Sequence, residues 1–356
     1  HATDAVFLVT SREPLNIQGE VVFPLAPLPE LDGVALFVAR AHAAGAVWTD
    51  NEENHAVIQQ LVTQLDGLPL AIELAAARTR MMSPTQLLDR LSDRFAMLRG
   101  GRRDQPARQQ TLESLIDWSW QLLAPWEQSA LMQLSVFQGG FTVEAAEAIL
   151  DLSTWPEAGW VMDVVGSLLD KSLVYATAQG QNARFNLLVS VSEFAQKRCK
   201  DTVDSGVLSV QERHAEHYAN MGRGDQLTKL FGRDTLRVRS LYALELQNCI
   251  AGFAYAMAEN ALDVAAECAF SAVHVIRFRG AYEQGLRMLA QLLECEDLSA
   301  VMRGRALFHQ AMLWKQKSLT DDASLALEAA VRIFESHDRP VLKAFALIES
   351  GDMLQR

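Results

Sequence analysis

The sequence predicts a mainly α protein with one short β-hairpin, closing in stacked helix pairs. Three observations predict it. Helical spacing of apolar residues recurs from about residue 30 onward, punctuated by proline- and glycine-bearing turns. The period changes to a strand pattern at Ser172–Ala176 and Ala183–Leu187, which flank Gln179-Gly180-Gln181-Asn182. Finally, Ala311, Ala323 and Ala330 stand 12 and 7 apart, the small-residue spacing of closely packed helix pairs.

The chain centres on Gly67-Leu68-Pro69-Leu70-Ala71-Ile72-Glu73-Leu74-Ala75-Ala76-Ala77-Arg78, a tight turn running straight into a strong helix. Gly67 can take a backbone angle closed to other residues, and Pro69 suits a first helical turn. Ala71, Ala75 and Ala76 let that helix approach a neighbour closely.

In chain order, Ala5–Val9 is a continuous apolar run ending in Thr10-Ser11-Arg12, which reads as a buried parallel strand. Val21–Leu25 reads as a second, shorter strand. Residues 1–29 are therefore expected to be the C-terminal remnant of an α/β domain, the chain starting inside it. Residues 30–98 form a helical subdomain: Leu31, Val34, Ala35, Phe37 and Val38 carry helical spacing, and Val57, Ile58, Leu61, Val62 and Leu65 repeat it. The helix from Pro69 to about Arg80 follows, and Pro84 opens another. Residues 99–107, glycine-rich, charged and proline-bearing, read as a linker.

Residues 108–207 hold helices at 109–123, 125–136, 142–150 (with Thr142 as N-cap) and through Val161–Leu169, then the hairpin and a last helix at 190–200. That order describes a winged helix-turn-helix. Residues 208–356 read as an α-solenoid of tetratricopeptide-like helix pairs, with Gly285 and Gly351 continuing the alanine spacing at intervals of 38–40 residues. The stretch Val341–Gln355 reads as a first helix without its partner, with an apolar face through Phe345, Leu347 and Ile348 either frayed or buried against another molecule.

Composition limits the function classes. The 356 residues, 49% hydrophobic and 21% charged, suffice for two or three domains with real cores. The apolar runs stop well short of the ~20 residues of a membrane span and no signal-peptide pattern occurs, so a cytoplasmic protein is expected. A net charge of −12 argues against a sequence-independent grip on nucleic acid. Cys199, Cys249, Cys268 and Cys295 lie far apart and read as reduced core thiols. His214 and His217 stand three apart on a helix, but no third metal ligand has supporting spacing. Arg99, Arg102, Arg103 and Arg108 form a basic cluster read as a solvated linker or as a partner for phosphate or acid elsewhere in the protein.

A resemblance rests on ordered stretches across about 200 residues. They are Thr10-Ser11-Arg12-Glu13-Pro14-Leu15, Gly19-Glu20, Gly67–Ala75, Arg108-Gln109-Gln110-Thr111-Leu112 and Trp118-Ser119. Leu134–Phe137, Gly140-Phe141-Thr142, Leu169–Val174 and Arg184-Phe185-Asn186-Leu187-Leu188 continue the series. With these the chain resembles the bacterial, NB-ARC-like branch of the signal-transduction ATPases with numerous domains (STAND), which carry tetratricopeptide tails and are often parts of large transcriptional regulators. The resemblance implies that residues 1–29 close an α/β P-loop ATPase core whose phosphate loop and magnesium-binding acid lie upstream. It makes Arg12 the sensor of the terminal phosphate, with Thr10 beside it, and it packs Pro69 on the adenine with the Leu68 backbone nearby. Phe185 and Asn186 stand where the family's eukaryotic members place a His-Asp pair, so Phe185 is read as core under the wing.

The expected function is the regulatory part of a signalling switch, closed with ADP and open with ATP. Magnesium joins the nucleotide in the complete protein, and no tight nucleotide binding or hydrolysis is expected of this chain alone. A protein partner or small inducer is expected on the repeats, with self-assembly on activation and no direct contact with nucleic acid or membrane. Two alternatives are a winged-helix DNA-binding protein with a helical oligomerisation tail, and a scaffold that has lost nucleotide binding. Basic residues on the helix before the hairpin would favour the first, and Val161–Leu169 has none.

Overall fold

A computed structural model of the chain describes residues 9, 17, 19–23, 25–46, 48, 52–89, 112–179, 182–201, 205–223 and 235–354. The first helices are α1 (Glu30–Ala44), α2 (Glu52–Gln64), α3 (Pro69–Arg78) and α4 (Pro84–Asp89). Then come α5 (Leu112–Gln121), α6 (Pro125–Leu134), α7 (Val143–Ile149), α8 (Val161–Asp170), strands β1 (Val174–Gln179) and β2 (Asn182–Leu187), and α9 (Val189–Asp201). The remainder is α10 (Ser205–Gly222), α11 (Thr235–Ala258), α12 (Leu262–Arg279), α13 (Tyr282–Glu294), α14 (Ala300–Gln316), α15 (Thr320–Ser336) and α16 (Pro340–Leu354). The fold is mainly α, with a helical solenoid and a two-stranded sheet among the described residues. It divides into two compact units, residues 1–135 with 151–203 and residues 136–150 with 204–356. No described helix is long and apolar enough to cross a membrane.

In the first unit, the predicted periodicities become faces. Phe37 and Ala41 of α1, Ile58 and Leu61 of α2, Leu65 just after it, Ile72 and Ala75 of α3, and Leu87 of α4 share one buried core. Gly33 lets α1 approach α2, since a Cβ there would stand 2.5 Å from Val62 Cγ1. Ile116 and Trp120 of α5 and Phe194 of α9 extend the same core, with Trp120 and Phe194 edge to face at 5.8 Å. Along the α5–α9 seam, Lys197 pairs with Glu113 at 3.1 Å and Arg198 pairs with Asp117 one turn on.

The hairpin is antiparallel, with Val174 opposite Leu187 and Ala176 opposite Phe185. Phe185 is only half-buried, while Arg184 on the other face of β2 is buried at 4% exposure. The expectation that Phe185 fills a core is thus corrected: the sheet's apolar face is buried at Val174 and loses cover towards Ala176. A second correction concerns Val21–Leu25. The described residues there, 21–23 and 25, form no strand and are exposed, Val21 at 92%. No described residue pairs with these, so no ladder among the described residues holds them extended. Val9, the one described residue of the first predicted strand, is also exposed, and the rest of that run lies outside the described residues.

The second unit opens with Phe137 stacked on Phe141 at 4.7 Å and with α7, whose predicted cap is present: Thr142 Oγ1 accepts the Ala145 amide at 3.2 Å. From α11 onward each helix packs on the next, the nearest-neighbour pattern of a solenoid. The α12 helix, wrapped by α10, α11, α13 and α14, is buried almost all round. Ala311, Ala323 and Ala330 are fully buried in one core with Leu327 and Phe334. Gly285 also lies at a close approach, where a Cβ would stand 2.8 Å from Leu313 Cδ1. Gly351 does not: a Cβ there would meet nothing within 4 Å among the described residues. Among the close contacts that spacing alone missed is Gly304, 2.8 Å from Phe334 Cε1 by the same measure.

Enlarging Ala323 to Leu should destabilise this unit by about 1–3 kcal/mol through overpacking. A denaturant midpoint equal to that of the unchanged chain would refute the close α14–α15 contact. The α16 helix is formed over Pro340–Leu354 and is not frayed in that span, and it exposes Phe345, Leu347 and Ile348 as expected.

Candidate functional site

The site begins where α2 stops. Asp66 and Gly67 adopt successive left-handed conformations, with φ of 57° and 62°. This winds the chain so that the Gly67 amide donates back to Val62 O at 3.1 Å and the Leu68 amide to Leu65 O at 3.0 Å, closing the helix. The Gly67 carbonyl then accepts the Leu28 amide at 3.0 Å. A Cβ on residue 67 would lie 2.6 Å from the Leu28 carbonyl oxygen, a backbone atom with no freedom to yield, so both φ and space require glycine. Leu68 then packs against the α1–α4 core while Pro69, at the first position of α3, is exposed. Among the described residues the start of α3 has no side-chain cap, and its first turn holds no acid, so the positive end of its dipole carries no local counter-charge.

Asp66 holds this turn from the other side. Its carboxylate accepts the amides of Val189 at 2.9 Å and Ser190 at 3.0 Å, and the Ser190 hydroxyl at 3.0 Å. It thereby caps α9, whose own preceding residue, Leu188, has no acceptor side chain. Sequence reasoning placed Gly67 and Pro69 here and missed Asp66, because its partners lie 123 and 124 residues away. The available signals were a short acid beside a turn glycine and a helix start without a local cap. Asp66→Ala should lower stability by about 0.5–2 kcal/mol, the range for a lost N-cap. Asp66→Asn, which keeps one acceptor oxygen, should recover part of that in thermal or denaturant unfolding, and equal loss in both variants would contradict the capping role.

Of the residues expected to contact nucleotide, Leu68 and Pro69 stand together at this turn, whereas Thr10 and Arg12 lie outside the described residues. So does the Arg99, Arg102, Arg103 and Arg108 cluster.

Glu127, also missed by the sequence reading, is the most buried acid among the described residues of the first unit, at 1% exposure. It accepts the Ala124 amide at 2.8 Å, the Ser167 hydroxyl at 2.5 Å and the Lys171 ammonium. Burial works against its charge, yet Lys171, Ser167 and the Ala124 amide together hold the carboxyl below its ordinary range. The pair joins α6 to the end of α8.

Of the two histidines, His214 belongs to a packed core, while His217 is half-buried with its ring 4.9 Å from that of Tyr218. His214 is buried against Phe137 at 5.5 Å and Tyr218 at 4.8 Å, with Nε2 3.3 Å from Asn248 Oδ1. Burial drives its pKa to about 4, so the ring is neutral at neutral pH. Asn248, fully buried, accepts the Gln138 amide at 2.7 Å and donates to Gly140 O at 3.0 Å. No group of three or more His, Cys, Asp or Glu that could hold a metal occurs among the described residues. Cys249 and Cys268 are buried as expected, with burial raising both thiols, while Cys199 and Cys295 are half-buried.

No protein-family model matches the chain. It is similar, at 34% identity over 319 residues, to the Mycobacterium bovis protein named "Putative HTH-type transcriptional regulator Mb0914c". That alignment covers 87% of this chain and 35% of the relative. The same figures hold for the equally described Rv0890c of Mycobacterium tuberculosis strain H37Rv. The "Uncharacterized protein Rv0894" of that strain is 32% identical over 211 residues, 59% of this chain and 53% of the relative. The chain is thus a relative of proteins named as HTH-type transcriptional regulators, and it spans 35% of their length.

Proposed function

We propose that this chain is the regulatory part of a nucleotide-controlled switch acting in transcription. The observation that carries the reading is the similarity over 319 residues to proteins with transcriptional-regulator names. The turn at Asp66–Pro69 supports the nucleotide part. It presents an exposed proline and the uncapped start of α3 on a backbone clamped by Leu28 and α9. Such an end suits an anionic or adenine-bearing ligand. In this reading Arg12 faces the terminal phosphate with Thr10 beside it, and Pro69 packs on the base with the Leu68 backbone nearby. Magnesium and the phosphate loop belong to the upstream part of the complete protein.

The modules rest closed with ADP bound. Exchange for ATP, aided by a protein or small inducer on the solenoid, shifts the population to an open arrangement that can self-assemble. In the complete protein, Arg12→Ala should blunt the ATP response of a reporter while leaving the thermal unfolding midpoint in place. An unaltered ATP response would sink the sensor role. This chain by itself should turn over no ATP, and magnesium-dependent hydrolysis by the purified chain would overturn the assignment of that chemistry to the missing part.

The relatives' HTH label favours one second reading, in which the hairpin and α8 contact DNA directly. The α8 helix contains no lysine or arginine, and the whole chain carries −12, so duplex binding should be absent at moderate salt. Salt-sensitive, sub-micromolar binding in anisotropy assays with promoter duplexes would select this second reading.

A further inference from the structure

On the solenoid, Arg239 at the start of α11 and Arg277 near the end of α12 both lie over the ring of Phe278, their guanidinium carbons 4.1 and 5.7 Å from its centre. His274 meets the same ring edge-on at 5.6 Å. Lys315, near the end of α14, completes the group through Glu349 of α16, which it contacts at 2.7 Å and which approaches Arg277 no closer than 3.9 Å. Arg277 and Lys315 therefore share the Glu349 carboxylate, in a chain whose net charge is −12.

Basic residues in the last turn of a helix are ordinary, since they complement the dipole. That accounts for Arg277 and Lys315, but not for Arg239, which lies in the second turn of α11, away from the end of its own helix. It also leaves open why the buried Nε atoms of both arginines have no hydrogen-bond partner among the described residues. Unfilled guanidinium donors beside a ring that is 51% exposed make a site short of an acceptor. Planar guanidinium groups match carboxylate and phosphate oxygens in pairs.

We infer that Arg239, Arg277 and Lys315, around Phe278, form the binding site for a small, multiply charged oxyanion, a carboxylate or phosphate compound, on the solenoid. The inference rests on reading the solenoid as the sensing element and names the chemistry of what it senses. The ligand's oxygens fill the two guanidinium forks, and its apolar part lies on Phe278. Burial first, and then Arg277 and Arg239, push His274 down to about 4, in keeping with an unneutralised positive field at this point.

The test is calorimetric titration of the 356-residue chain, at fixed ionic strength, with pyrophosphate, with citrate and with an oligo-aspartate peptide in separate arms. Saturable binding of pyrophosphate or citrate is expected, and the arm that binds tells phosphate from carboxylate. Arg277→Gln and Arg239→Gln should each weaken it by about tenfold, the loss of a charge-assisted contact. Arg287→Gln, exposed on α13, should leave it unchanged. If either glutamine variant fails to fold by circular dichroism, Lys315→Gln takes its place with the same expectation. Absence of saturable binding, equal affinities across all variants, or binding of the peptide alone would overturn the inference. Because no transcription readout enters, failure here leaves the switch reading standing, and failure of the reporter experiment leaves this site standing.

Discussion

Replacing Arg305 with Met should lower the stability of the second unit by about 3–5 kcal/mol, the cost of leaving a buried partner charge uncompensated. Arg305 on α14 grips Glu267 on α12 through both guanidinium nitrogens, at 2.5 and 2.9 Å. It also donates to Gly222 O at the end of α10 at 3.0 Å, and its guanidinium lies 4.4 Å from the Phe270 ring centre. One side chain thus ties three helices together. Glu267 is only 4% exposed, so without Arg305 its carboxylate keeps its desolvation penalty and loses its compensation. The double variant Glu267→Gln with Arg305→Met should recover much of the loss, since no buried charge then remains. Urea unfolding with tryptophan fluorescence measures both. A single variant as stable as the unchanged chain, or a double variant worse than the sum of its singles, would contradict this account.

Glu127→Ala should bring a loss of similar size, about 3–5 kcal/mol, in the first unit. It strips Lys171, Ser167 and the Ala124 amide of their common acceptor and leaves a void under α8. The variant also carries a pH signature. Because the folded-state pKa of Glu127 lies below its ordinary 4.5, the stability it adds is present above that pH and is lost as pH falls through the lowered value. Glu127→Gln should therefore reduce stability at pH 7 and flatten its decline below about pH 4.5. Parallel pH–stability curves for the two proteins would show that the carboxylate does not act through its charge.

Both pairs show why some of this molecule was legible in the sequence and some was not. Helix positions are local matters. The apolar period along Val57–Leu65 placed α2, Pro125 placed the start of α6, and Thr142 placed both the start of α7 and its cap bond, because each signal and its effect lie within one turn of chain. The hairpin followed from a change of period around Gln179–Asn182. Gly67 and Pro69 could be singled out for the same reason, since backbone angle and helix entry are properties of the residue itself.

What the chain does with its charges is a different matter. Glu267 and Arg305 are 38 residues apart, Glu127 and Lys171 are 44 apart, and Asp66 stands 123 residues from the amide of Val189. Each of these acids reads in sequence as an ordinary solvated residue. Only the packing of particular helices against each other takes them out of water and makes a distant partner obligatory. The same holds in reverse for Val21–Leu25, a strand by pattern whose described residues pair with no other described strand, and for Gly351, a packing glycine by spacing that faces open space. Sequence by itself determined where the helices and the hairpin run, through interactions between residues a few positions apart. The tertiary structure alone decided which polar groups are buried together, because desolvation depends on every element that closes over a side chain.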